Sequence, residues 1–208
     1  MTDLFLAFVA AFFVPLLFQS WRVAIWGLGI QGVLLALIPA THHQHGWTSQ
    51  VLFECGSLLV LRGVFAPWFL SRHVRPELKG PNFSLIGKNL FQWASAAILL
   101  TFAFMLGSKL APDNSVEALQ VGTAAGCILI GMLILSNQTN RLGQAIGLLT
   151  IESGMALVEL LSPYAMPFPV SVGVNVVYLA LLLTLGIYLK HAPPPMPERT
   201  FADGKGLV

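Results

Sequence analysis

The chain has 208 residues, of which 56% are hydrophobic and only 10% charged, with 11 Lys+Arg against 9 Asp+Glu. A soluble domain of this size spends about a quarter of its residues on charge, so a mean hydropathy of +0.77 excludes an ordinary water-soluble enzyme. A net charge of +2 from scattered cations supplies no basic stripe for a nucleic-acid partner. Cys55 and Cys127 both sit in apolar runs and form no CxxC motif, so iron–sulfur, zinc and disulfide chemistry are not expected.

Lipid offers the backbone no hydrogen-bond partners, so the long apolar runs read as spanning helices. Seven are expected, at Leu4–Phe18, Val23–Ala40, Val51–Leu70, Leu90–Leu110, Val116–Leu135, Gln144–Leu161 and Val170–Leu189. The fold class is therefore an all-α polytopic membrane protein. The first run is short and bent near Pro15. It differs from a signal peptide in holding Asp3, and no Lys or Arg, before its apolar stretch, and reads as a retained helix. With seven spans the loops alternate in side. Arg22, Arg72, Arg75, Lys79, Lys88, Arg141, Lys190, Arg199 and Lys205 fall on one side and Lys109 alone on the other. The positive-inside rule then puts the N terminus outside and the C terminus in the cytoplasm. The division is residues 1–110, a four-helix region; 116–190, a three-helix unit; and 191–208, a tail opened by Pro193, Pro194 and Pro195 that cannot continue a helix.

Ionisable side chains inside the spans are the candidates for function, because a charge at mid-bilayer costs several kcal/mol by most estimates. Glu152 lies near the middle of the sixth run, beside Ser153 and Gly154, which let water or another helix approach. Arg62, in LLVLRGVFAPWF, is too deep to snorkel and stays protonated, so it needs an anion. Glu54 is eight residues earlier, about 12 Å along the axis and about 80° around it, which allows a shared cavity without direct contact. Glu159, seven residues after Glu152, approaches the outer surface. Asn175 and Tyr178 are polar, one turn apart, in the last helix, and suit interhelical hydrogen bonding. His42, His43 and His45 in THHQHGW lie without Cys or acidic neighbours, which argues against a metal site. Outer-face protonation is the better use for them. Trp21, Trp26, Trp47 and Trp68 stand near helix ends as interfacial anchors, and Gly27, Gly29 and Gly32 permit close helix packing.

From Val121 to Leu189, with GTAAGCILIGMLILSNQTNRLGQAIGLLTIESGMALVEL and then VSVGVNVVYLALLLTLGIYLK, the chain resembles the small K subunit of respiratory complex I and the C subunit of multisubunit sodium/proton antiporters. The shared pattern is a Gly-containing helix, a short Asn-Arg turn, a helix opening with IGL and holding a Glu, and a final helix. Taken whole, the chain resembles the hydrogenase-4 component E family, membrane subunits of group 4 nickel–iron hydrogenase and formate hydrogenlyase complexes. The resemblance implies a non-catalytic subunit without cofactors of its own. Its partners would be larger antiporter-like subunits and a membrane-anchored hydrogenase or complex I-like module in the inner membrane. It places the family's helix-six acid on Glu152, one turn deeper than in complex I, and an Asn, Asn175, near where the family's last helix carries a carboxylate. Arg62 stands where the family is expected to hold a Lys. The proton or ion pathway expected is therefore Glu152, Arg62, Glu54, Asn175 and Glu159. A redox-independent antiporter-like assembly and a purely structural scaffold are the alternatives.

Overall fold

The computed structural model describes residues 2–18, 20–42, 49–74, 85, 90–161 and 167–191. Among these the chain is helical, with no strand. We number seven helices: α1 (Thr2–Leu17), α2 (Trp21–His42), α3, α4 (Leu90–Leu110), α5 (Ser115–Asn137), α6 (Arg141–Leu160) and α7 (Phe168–Lys190). Helix α3 passes without a break from Ser49–Leu58, through a π-helical stretch at Leu59–Phe65, into Ala66–His73. The apolar runs in the sequence map onto these seven helices. Five of them, α2 to α5 and α7, are long and apolar enough to cross a membrane. The other two have physical reasons to fall short. Helix α1 has only 16 residues, and α6 carries Glu152 and Glu159 while packing against α2, α5 and α7, so little of it has to match lipid.

The helix boundaries follow local chemistry. Asn114 caps α5, its side-chain oxygen accepting from the Val116 and Glu117 amides at 3.1 and 3.3 Å. Asn140 caps α6 in the same way, accepting from Leu142 at 2.9 Å. Pro169 opens the first turn of α7, where its missing N–H costs nothing. The turn between α5 and α6 is further tied by Gln138, whose amide donates to the carbonyl of buried Leu85 at 2.7 Å. That bond fixes one point of the long connection after α3.

Large side chains lie on the outside of the bundle, as lipid requires: Trp26, Ile98, Phe102, Val176 and Val177 are exposed. Helix α4 is the most peripheral, with Leu90 85% and Phe91 81% exposed. The inside is packed through small residues. A methyl group at Gly131 of α5 would lie 2.6 Å from Ile151 Cγ1 and 2.8 Å from the Gly147 carbonyl oxygen, and one at Gly154 would lie 2.9 Å from the Ala124 carbonyl oxygen. Glycine is what lets α5 and α6 touch along their backbones. The expectation for Gly29 and Gly32 holds for the same reason. Gly29 packs against Pro67 and the Gly63 carbonyl, and a methyl at Gly32 would meet the Arg62 carbonyl oxygen at 2.6 Å.

Candidate functional site

The pairing that matters most joins residues ninety apart. Arg62, 4% exposed, meets Glu152, 19% exposed, through both carboxylate oxygens: Nη1 donates to Oε2 at 2.6 Å and Nη2 lies 2.5 Å from Oε1. Two parallel charge-assisted bonds give the pair a fixed geometry as well as energy. The arginine sits inside the π-helical stretch of α3, and its backbone lies against Gly32 of α2. The close α2–α3 crossing holds the root of the side chain from behind. In front, the guanidinium carbon stands 4.6 Å from the centre of the Tyr178 ring of α7, a cation–π distance. Three helices thus define one charge: α2 sets its backbone, α6 neutralises it and α7 covers it. The Arg62 Nε–H is buried and makes no hydrogen bond among the described residues.

Above the pair, toward the ends where α3 begins and α6 finishes, lie the other expected residues. Asn175 donates through its amide to Ser57 Oγ at 3.1 Å, tying α7 to α3, and to the Ser171 carbonyl at 3.0 Å. Ser57 in turn donates to the Glu54 carbonyl at 3.0 Å. Glu54 and Glu159 are both half-buried, and Glu159 lies within electrostatic reach of Arg62 and Glu54. The anion that Arg62 requires is therefore Glu152 on another helix, while Glu54, its neighbour along α3, belongs to a second tier nearer the surface.

Two hydroxyls flanking Glu152 do not serve it. Thr150 donates to the Ile146 carbonyl at 2.8 Å and Ser153 to the Leu149 carbonyl at 2.9 Å, bonds a helix can make to itself in an apolar setting. Of the histidine cluster, His43 and His45 lie outside the described residues, as do Trp47 and the three prolines of the tail. Among the described residues, no three His, Cys, Asp or Glu side chains converge as a metal site would require.

Three features of the site are absent from the sequence reading. Tyr178 faces the guanidinium with its ring, where its spacing from Asn175 suggested a hydrogen-bonding role. The π-helical stretch gives no signal in composition, although Gly63 directly after the charged residue is a trace of the crowding there. Buried Gln31, whose amide donates to the Ala11 carbonyl at 3.4 Å and so ties α2 to α1, is visible only as one polar residue beside Gly32.

At the opposite ends of the same helices the chemistry is cationic and aromatic. Arg141 lies 4.5 Å from the centre of the Tyr188 ring and donates to that residue's carbonyl at 3.2 Å, while Tyr188 donates to Gln144 Oε1 at 2.7 Å. Arg72 stacks over Trp68 at 5.5 Å and Arg22 over Trp21 at 5.3 Å. Aromatic rings paired with cations at helix ends suit the boundary between a membrane and water.

The comparisons with known proteins narrow the field little. The chain is 26% identical over 175 residues to the uncharacterized protein Rv0085 of Mycobacterium tuberculosis (strain ATCC 25618 / H37Rv), a match covering 81% of this chain and 78% of that protein. No family model matches the sequence, and no solved structure matches it.

Proposed function

We propose that this chain is a non-catalytic integral membrane subunit of a complex I-like or membrane-bound hydrogenase assembly, and that Glu152 carries protons within it. On this reading the chain spans the cytoplasmic membrane seven times, with its N terminus outside. Larger antiporter-like subunits and a hydrogenase or complex I-like module are its neighbours. The observation that carries the proposal is the bidentate pair of Arg62 and Glu152, a titratable acid and an obligate cation held between three helices in the middle of apolar spans. A buried ion pair is a poor device for stability alone, since apolar replacements are often as stable or more so. Its presence inside a membrane favours a role in moving charge.

The test has two parts. Purification from native membranes in mild detergent, followed by mass spectrometry, should recover hydrogenase or complex I-like subunits. In that complex Glu152→Gln keeps the shape of the side chain and its capacity to accept from Arg62, so the assembly should persist while proton translocation, or its coupling to electron transfer, slows at least tenfold. Unchanged translocation in an assembled Glu152→Gln complex would make the pair structural. The scaffold reading has its own support in Asn175: this residue cannot titrate, and its amide is committed to Ser57 and Ser171.

A further inference from the structure

The two halves of the α3–α6–α7 contact, above and below Arg62, differ in polarity: polar side chains stand in the upper half beside the Phe53–Phe168 ring contact, and apolar ones fill the lower. Helices α3 and α7 run parallel here, as the successive contacts of Ser57 with Asn175, Arg62 with Tyr178 and Phe69 with Gly186 require. Helix α6 runs against them, since Gln144 meets Tyr188 and Glu152 lies opposite Arg62. At about 1.5 Å per residue, Glu54 and Glu159 therefore stand at one level, roughly 10–12 Å above the ion pair, with Ser57 and Asn175 between. All four are half-buried.

Below the pair the order is reversed. Ala66, Phe69 and Leu70 of α3, and Leu182 and Leu185 of α7, are buried. A methyl group at Gly186 would lie 2.5 Å from the Phe69 ring, so the ring fills the space the glycine leaves. Packing of this kind leaves no room for a water molecule, and the next polar contact, Tyr188 with Gln144, is ten residues farther along α7.

We propose that Arg62 and Glu152 close the blind end of a one-sided aqueous crevice. The crevice opens at the face where α3 begins and α6 ends, is lined by Glu54, Ser57, Asn175 and Glu159, and is stopped from the other face by the Phe69–Gly186 contact. It deepens the proton-carrying reading, on which it rests for its purpose, by fixing the side from which Glu152 receives or releases its proton. It also gives Asn175 a use. A non-titrating amide bonded to Ser57 holds α7 against α3 and keeps the crevice open at that width.

Thiol accessibility in sealed native membranes of both orientations tests it directly, because a charged, impermeant methanethiosulfonate reacts only where water reaches. With Cys127 replaced by Ala, native Cys55 beside Glu54 is the first reporter, and Ser57→Cys and Asn175→Cys in a Cys55→Ser background are the next. Leu182→Cys and Leu185→Cys report on the other half. Cys55 and the thiols at 57 and 175 should react from the face where α3 begins and at least tenfold more slowly from the other. Those at 182 and 185 should react from neither. Reaction at 182 or 185 from the opposite face, or protection of both 57 and 175 from each face, would overturn the crevice. The readout needs no turnover, so its failure is separate from that of the proton-carrying reading, which the activity of Glu152→Gln decides.

Discussion

Helix α6 has two working faces, and they are built from opposite materials. Toward α5 it presents Gly147 and Gly154, and the backbones meet with nothing charged between them. Toward α3 and α7 it presents Glu152, and the gap between helices is bridged by a guanidinium and a ring. In a membrane, burial of apolar surface does not by itself drive helix against helix, so association rests on close packing or on polar contacts. One helix here uses each device on one side. The comparison teaches that the α5–α6 face holds the bundle together while the α3–α7 face is where a charge is kept.

The strongest way to break this division is Arg62→Met, which strands the Glu152 carboxylate in an apolar site. A loss of about 3–5 kcal/mol is expected, read as a lowered midpoint of unfolding in detergent. The double replacement Arg62→Met with Glu152→Met should recover most of it, because two thioethers pack where two charges were. A double variant as unstable as the single would mean that the pair is the structural centre. Next in size is Gly131→Val, for which overpacking against Ile151 and Gly147 should cost about 1–3 kcal/mol. Its control, Gly56→Ala on the open half of α3, should stay within about 0.5 kcal/mol of the parent. Equal effects at the two glycines would erase the contrast.

Smaller changes sharpen it. Tyr178→Phe keeps the ring over the guanidinium and should leave stability unchanged, whereas Tyr178→Leu removes the cation–π contact and should cost about 1 kcal/mol, measured by the same unfolding. Asn175→Ala removes one interhelical hydrogen bond, of the kind that averages about 0.6 kcal/mol in membranes. That small loss is expected to come with a change in thiol reactivity at native Cys55, with Ser57 left in place.

Much of the architecture was legible because lipid imposes a simple rule: a helix must be apolar for a given length. Val51 to Leu70 announced α3 in that way, whereas hydropathy began the sixth run at Gln144, three residues inside the helix that Asn140 caps. Arg62 and Glu152 stood out for the same reason, as exceptions to the rule. Their partnership did not, because hydropathy gives the depth of a residue but not which way it faces around the helix. Counting turns put Arg62 and Glu54 toward one cavity without contact, and it gave no sign that the anion meeting the guanidinium stands on α6. Tyr178 stood out as a polar residue of the last helix, but its hydroxyl drew the reading toward hydrogen bonding, and the use of its ring becomes visible only once the cation facing it is known.

The π-helical stretch also makes α3 tolerant of a change in length. An α-helix that accommodates one additional residue does so as a bulge of this kind. Removing one residue between Leu59 and Phe65 would therefore let the stretch close into regular α-helix with its two halves in nearly their present phase, whereas a deletion from a regular stretch turns them by about 100° relative to each other. Ser57 would still face Asn175 and Phe69 would stay against Gly186, and the change would fall on Arg62 alone. The wide turn is thus a place where one residue can be gained or lost in this span without resetting the contacts on either side of it.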